Sequence, residues 1–562
     1  MKLMREWRTI PWRKLERKVF KLQTRIFKAS HRGDVKAVRR LQKTLIRSWS
    51  AKSLAVRRVS QDNQGKRTAG VDGIKSLTPE QRLELVSQLR LLGRAKPTRR
   101  VWIPKPGGKA EKRPLGIPTL ADRALQALVK LALEPEWEAR FEANSYGFRP
   151  GRGCHDAIEA IYNGILLKAK YVLDADISKC FDQIDQDALL AKINTFATLR
   201  RQIRAWLKSG VWDQGQWFAT TTGTPQGGVL SPLLANIALH GMETLIKQAF
   251  PKTWDAQMKG HIQPPHLIRY ADDFVVFHAD LTIVQQCQQI LVEWLAQMGL
   301  TLHPEKTRIT HTLHPHEGHI GFDFLGFTVR QFPAGKHHTA HNAYGTPLGF
   351  KTLIQPSRTS IQRHQQKLKQ ILQRHQAATQ SQLIDALNPV IIGWSNYFST
   401  GVSSHAYQGL DNWLYIQLKN WATHRHPRKS QHWIAHRYWL IDRDEGWTFA
   451  ASTPEGIQRL ARHSHTAIQR HIKVQGQRSV FDADWIYWST RMGRHPQVNQ
   501  RVARLLKRQQ GKCAVCHLFF KDRDLLEIDH FIPRAQGGKD EINNLQLLHR
   551  HCHDVKSAND SR

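Results

Sequence analysis

Acidic residues are scarce in this chain. Against 84 Lys+Arg it carries 46 Asp+Glu, so its 562 residues hold a formal net charge of +38, with 30 histidines besides. That excess is far beyond what solubility requires and points to a polyanionic partner, nucleic acid first. Long apolar runs are missing too. No stretch of 18 or more residues is apolar enough to span a membrane, and the N-terminal MKLMREWRTIPWRKLERK lacks the apolar centre of a secretory signal. The expected setting is cytoplasmic and nucleoprotein-associated, with no membrane partner. Cysteine is rare, at six residues, too few for a disulfide framework. Cys154, Cys180 and Cys287 are scattered and read as buried thiols. Cys513, Cys516 and Cys552 crowd into the last fifty residues beside many histidines, which reads as metal chemistry. Internal repeats are absent.

What is present divides the chain. One core does not suffice at this length, and three or more domains are expected. Residues 1–58 carry nineteen Lys/Arg against three acids, Glu6, Glu16 and Asp34. Apolar residues recur there at helical intervals, so basic amphipathic helices touching phosphate are expected. Thr78 then reads as a helix cap with Pro79 at the first helical position. From about 100 to 330, β-like runs (KYVLDADI, LIRYADDFVVF, FDFLGFTVRQF) alternate with helical ones, an α/β pattern around a central sheet. PAGKHHTAHNAYGTPLG, residues 333–349, is a Gly/His-rich break. A helical, basic region follows to about 430, in which Trp394, Tyr397, Trp413 and Tyr415 read as core residues. Residues 431–495 resist classification, and 500–562 form a compact Cys/His module.

The stretch RYADDFVVF, residues 269–277, sets Asp272 and Asp273 side by side between apolar runs. A tight hairpin would carry both at its tip. Buried unpaired anions are very costly, so a divalent cation is the natural compensation. VLDADISKCFDQI adds Asp174, Asp176 and Asp182. Three carboxylates on adjacent strands can hold two Mg²⁺ ions roughly 4 Å apart, an arrangement that activates an attacking hydroxyl and stabilises a leaving pyrophosphate.

RVWIPKPGGKAEKRPLGIPTLADRALQ, SYGFRPGRGCHDAI, DADISKCFDQID, TTGTPQGGVLSPLLANI, IRYADDF, LHPEKT and FDFLGFTV follow one another over about 230 residues, with GVDG at 70–73 before them. The series resembles the successive blocks of bacterial reverse transcriptases, specifically those encoded within group II introns. The resemblance implies a multidomain α/β (α+β) protein: a right-hand polymerase with fingers, a palm with a central antiparallel sheet, and a helical thumb. Its divisions would be a basic N-terminal extension (1–80), fingers and palm (81–330), thumb or maturase domain (331–430), a DNA-binding region (431–500) and a nuclease module (501–562). It makes Asp176, Asp272 and Asp273 a triad for two Mg²⁺. Phe181 becomes the ring that excludes a ribonucleotide's 2′-hydroxyl, and Asp182 a structural residue. Lys105 and Arg113 would meet the triphosphate of a dNTP. Gly223, Pro225, Gln226 and Gly227 would lie beneath template-primer and incoming base, and Lys306 near the departing pyrophosphate.

In the tail, Cys513, Cys516, His549 and Cys552 give four soft or borderline ligands in two knuckles, a structural Zn²⁺ site. EIDH, GGKDEINN and the final CH resemble the HNH, or ββα-metal, nuclease motif. By that match His530 is the general base, Asp529 and His553 hold one divalent ion, usually Mg²⁺, and Asn544 orients the loop carrying His530. The alternative is a zinc-ribbon binding module. The thumb resemblance implies a folded group II intron RNA as partner, gripped through phosphates and shape. The whole resemblance implies a protein that assists splicing, nicks target DNA and copies the intron into DNA from an RNA template with a DNA primer. Two other readings are a reverse transcriptase of a defence or diversity-generating element, and a splicing cofactor with a decayed polymerase.

Overall fold

Three basic helices begin the chain, Trp12–His31, Val35–Arg47 and Trp49–Arg57. Leu15, Val19 and Ile26 on the first, and Val38, Leu41 and Leu45 on the second, form stripes that close on the buried helix Leu120–Glu138. The same 3.6-residue period leaves Arg17, Lys21, Arg25 and Lys28 at the surface. Thr78 caps the helix Pro79–Gln88 in a capping box with Gln81. The computed structural model describes residues 6–560 except 64, 66–67, 105–111, 256–259, 336, 443–445, 455, 494–497 and 521–523. Lys105 therefore lies outside the described residues. Among those described, no helix is long and apolar enough to cross a membrane.

The palm is a four-stranded antiparallel sheet in the order Arg308–His311, Tyr171–Asp176, Asp273–His278, His266–Tyr270. Both faces are covered. Leu173, Ala175, Phe274 and Val276 pack into one core with helix Leu281–Ala296, whereas Val172, Val275 and Phe277 join a second core with helix Cys154–Ile165. A sheet buried on both sides needs continuous apolar strands, which is why FVVF lacks polar alternation. A second sheet, in the order Lys112–Ile117, Thr98–Pro104, Val211–Asp213, Gln216–Phe218, forms the fingers.

Strands Phe322–Phe324, Phe327–Pro333 and Phe350–Pro356 make a third sheet beside the palm. The Gly/His-rich break is the excursion between the last two of them. Helices Arg358–Arg374, Gln380–Phe398 and Ser404–Arg425 build the thumb. Its core continues into Trp439, Phe449 and Ala451 of the three-stranded sheet Trp439–Asp442, Gly446–Thr453, Gly456–Arg459. The sheet thus packs with the helices that precede it. Further on, Trp488 joins the palm-side core, and Asp156 of helix Cys154–Ile165 meets both His471 and Arg491.

The C-terminal module is a strand pair, Leu526–His530 with Leu545–His549, followed by helix Arg550–Asp560. It docks against the first helix. Arg13 donates to Cys516 O, Glu16 faces His551 at 3.7 Å, and Phe20 packs on Trp485, which stacks in turn on Phe519.

Candidate active sites and metal centre

Strand register brings the palm carboxylates together. Asp176 lies directly opposite Asp273, and Asp174 opposite Val275, in the antiparallel pair. By the two-residue alternation of a strand, Val172, Asp174 and Asp176 share a face with Phe277, Val275 and Asp273. That face is apolar at one end and acidic at the other. Like charges directly opposite each other destabilise a sheet, so the pairing is kept for something other than stability. Asp273 has an edge open to solvent but is crowded below. Burial, with Asp272, Asp176 and Asp174 adding to it, pushes its carboxyl up to about 7. Burial likewise raises Asp272, and lifts Asp174 to about 6 although Arg308 pairs with it at 3.2 Å. A cavity of about 340 Å³ opens onto Asp174, Asp176 and Asp273, with Lys306 on its wall.

The hairpin is tight, as expected, but its tip carries only one of the two carboxylates, because Asp273 already begins the strand Asp273–His278. Tyr270 pairs with Asp273, leaving Ala271 and Asp272 as a two-residue turn with Ala271 at φ +58. Two residues outside the predicted set hold it. Gly147 backs the turn so closely that a Cβ there would sit 2.3 Å from Ala271 N. Arg269, 1% exposed, donates to Ala271 O (2.9 Å), Asn236 Oδ1 (2.9 Å) and Ser145 Oγ (2.7 Å). Burial lowers its guanidinium to about 10, leaving it charged at neutral pH. Its one sequence signal is a charge inside the apolar run LIRY.

Lys306, on the short turn Pro304–Lys306, reaches Asp176 Oδ2 at 2.5 Å. Arg113 lies on the finger strand, close enough to oppose the rise of Asp272 and of Asp182. Phe181 sits on the turn of helix Cys180–Gln183, edge-on to Phe148 at 6.1 Å. Its carbonyl accepts from Thr224 N, and Gly223 (φ +77) abuts the same carbonyl with room for no Cβ. Gln226 Nε2 lies 3.3 Å from both oxygens of Asp182, and Gln226 O accepts from Gly116 N. Asp182 thereby ties the Gly-rich segment to the palm.

In the C-terminal module Cys513, Cys516, His549 and Cys552 are all buried, and their donor atoms lie within 4.8 Å of one another. His549 turns Nδ1 toward Cys516 Sγ (3.2 Å) and Nε2 toward Asp524 (3.2 Å). A ligand histidine whose second nitrogen meets a carboxylate is the usual outer-shell arrangement of zinc sites. The donor set fits a structural metal.

Beside it, Asp529 faces His553 at 3.9 Å across the strand pair and helix. That gap is too wide for a hydrogen bond and within reach of one shared cation. Gln546 Nε2 (2.8 Å) and Lys556 Nζ (3.1 Å) also hold Asp529, and Lys556 donates to His530 O. His530 Nε2 lies 3.3 Å from Asp540 Oδ1. Asn544 accepts from Ile532 N and donates to Ile532 O and Lys539 O, clamping the loop after His530. Sequence reading passed over Asp540, Lys556 and Asp524. Lys556 follows His553 by three residues, one helical turn on the same face, which is a signal it could have used.

The chain matches four family models in order: N-terminal domain of reverse transcriptase (residues 7–89), reverse transcriptase or RNA-dependent DNA polymerase (103–329), the group II intron maturase-specific domain (361–439), and HNH endonuclease (513–559). It is 31% identical over 306 residues to protein YkfC of Escherichia coli K12, covering 48% of this chain and 77% of YkfC. It is 29% identical over 331 residues to the group II intron-encoded protein LtrA of Lactococcus lactis subsp. cremoris, covering 48% of this chain and about half, 53%, of LtrA. A 91 kDa protein in the cob intron of Schizosaccharomyces pombe matches at 27% over 364 residues, 54% of this chain and 43% of that protein. With an antiparallel palm, a helical thumb and a ββα module in that order, the chain belongs to the group II intron-encoded proteins, with reverse transcriptase, maturase and HNH endonuclease domains.

Proposed function

We propose that the palm is the working centre of an RNA-directed DNA polymerase, and that Asp176, Asp272 and Asp273 hold its two Mg²⁺ ions. The observation that carries this is the face-to-face pairing of Asp176 with Asp273 beside the turn residue Asp272, a like-charge arrangement that has no stabilising rationale. Divalent ions bound there supply charge neutralisation for an attacking 3′-hydroxyl and a leaving pyrophosphate. The chain's own residues do the positioning. Arg269 and Gly147 aim the hairpin. Phe181, braced by Phe148 and Gly223, bounds the space beside the sugar. Gln226, tied to Asp182, lies under the incoming base. Arg113, with Lys105, meets the triphosphate, and Lys306 leaves Asp176 to donate to the pyrophosphate.

In the tail, Cys513, Cys516, His549 and Cys552 hold Zn²⁺. His530, oriented by Asp540 and by the Asn544 clamp, takes the proton from a water. Asp529 and His553 hold one divalent ion at the scissile phosphate of target DNA. The basic N-terminal helices and the thumb grip the intron RNA, assist its splicing and present it as template. The nicked DNA end then primes the copy. The joined HNH module favours this reading over a defence or diversity-generating enzyme.

Primer extension and strand nicking, run on one preparation, test it. Asp272→Asn is expected to abolish extension and spare nicking, and His530→Ala to do the reverse. Extension that survives Asp272→Asn would refute the two-metal assignment.

A further inference from the structure

Helix Ser404–Arg425 and the sheet Trp439–Arg459 leave a pocket of about 460 Å³ between them, within the roughly 300–1,000 Å³ of ordinary ligand sites. Its floor is Leu414, Leu418 and Phe449, each no more than 3% exposed. Two rings stand open at its mouth, Tyr415 at 47% and Trp447 at 46%. Tyr415 was expected in the core. It instead meets Trp439 edge-on and turns the rest of its ring outward.

Gln408 and Asn412, one helical turn apart, bring two exposed amides to the same wall, and neither is bonded within the protein among the described residues. Arg462 closes the rim, donating to Trp447 O at 2.7 Å. The carboxylate in the wall, Asp411, is already committed. It accepts from His463 N and Nδ1 and from Ser464 N and Oγ, all within 3.0 Å. His463 Nε2 meets His364 Nε2 at 2.8 Å, and His364 stacks on Trp394. The pocket wall is therefore braced from behind on both sides.

We propose that this pocket takes one unpaired nucleobase of the folded RNA, stacked on Tyr415 and Trp447 with its hydrogen-bonding edge toward Gln408 and Asn412. The chemistry selects the occupant. Amides both donate and accept, matching a base edge, whereas phosphate accepts only and would call for a cluster of cations. Exposed rings beside a cationic rim stack any base. Folded RNA offers bulged and looped bases ready for such a pocket, while duplex DNA must first be unstacked. The inference rests on the RNA-binding reading of the thumb and adds to it one point that reads a base.

The test uses the full-length protein and three probes: an RNA hairpin with 2-aminopurine as a single bulged nucleotide, the same RNA fully paired, and the bulged DNA counterpart. Salt of about 0.3 M weakens the phosphate contacts common to all three. The bulged RNA is expected to bind about tenfold tighter than the paired one, the order of a single stacked base, with its fluorescence quenched. Tyr415→Ala and Trp447→Ala should each remove that preference and Tyr415→Phe keep it, all three retaining primer extension on a supplied RNA template. Equal binding of bulged and paired RNA by the unaltered protein, preference surviving both alanine variants, or a DNA bulge bound as well as RNA would each overturn the pocket. Loss of all hairpin binding, with extension intact, would overturn the RNA-binding reading beneath it.

Discussion

The palm and the C-terminal module each gather metal-type ligands, and they do so by opposite means. In the module four soft donors already converge within 4.8 Å in a buried cluster. Among the described residues the palm carboxylates form no such group. Asp176 and Asp273 are fixed by strand register, Asp272 by the turn, and Lys306 supplies a nearby positive charge. Thiols and imidazole can be packed as small, nearly neutral groups, so the fold itself brings them into contact. Carboxylates cannot be pressed together without strong repulsion. A fold can therefore set their strands but must leave the final approach to a cation.

Four substitutions would break or sharpen that contrast. Asp176→Asn should have the largest effect. It removes a carboxylate from the palm, so extension should fall by more than the roughly 10–100-fold that outer-shell changes alone give. The strand pair should stay intact or gain stability, because a like-charge opposition is relieved. A melting temperature that dropped sharply would contradict the picture of carboxylates held against their own repulsion.

Cys516→Ser should act in the reverse sense, on folding first. Measured zinc content should fall, the module should lose its cooperative transition, and nicking should go with it while extension persists. Asp524→Asn touches only the outer side of His549, so zinc affinity in a chelator competition should weaken by about 10–100-fold, with the fold retained when zinc is in excess. Gly147→Ala touches none of the candidate ligands and should cost about 1–3 kcal/mol as an overpacking change. Its Cβ must displace Ala271, so extension should fall further than that stability loss accounts for. Unaltered extension would show that the turn is not held from behind by this glycine.

Local pattern was legible wherever the chemistry is local. The HNH residues, the two Cys/His knuckles, the acidic pair and the capped helix at Thr78 are each read from short motifs, and Asn544 bonds Ile532 on the loop after His530. Aromatic residues were less legible. Trp394 packs against the palm-side core as expected, but Tyr415 faces solvent, because a helix with apolar residues on several sides does not announce which side finds a neighbour. Residues 431–495 carried no readable signal. Their sheet shares its core with the thumb helices that precede it, and a later stretch packs on the palm, so no one core accounts for the whole region.

The sequence by itself determined the class of protein, the order of its parts and the residue types of both candidate centres, since each is assembled from short motifs whose residues are close along the chain even where the motifs themselves are far apart. Only the tertiary structure decided which supports serve them. Arg269 reaches Asn236 and Ser145, Gly147 meets Ala271, Lys306 meets Asp176, Asp540 meets His530, and the first helix receives the Cys/His module through Arg13 and Glu16. All but one of these pairings join residues more than thirty positions apart, beyond Asp540 and His530. Burial, register and close packing make them, and none of those is written in any single stretch of sequence.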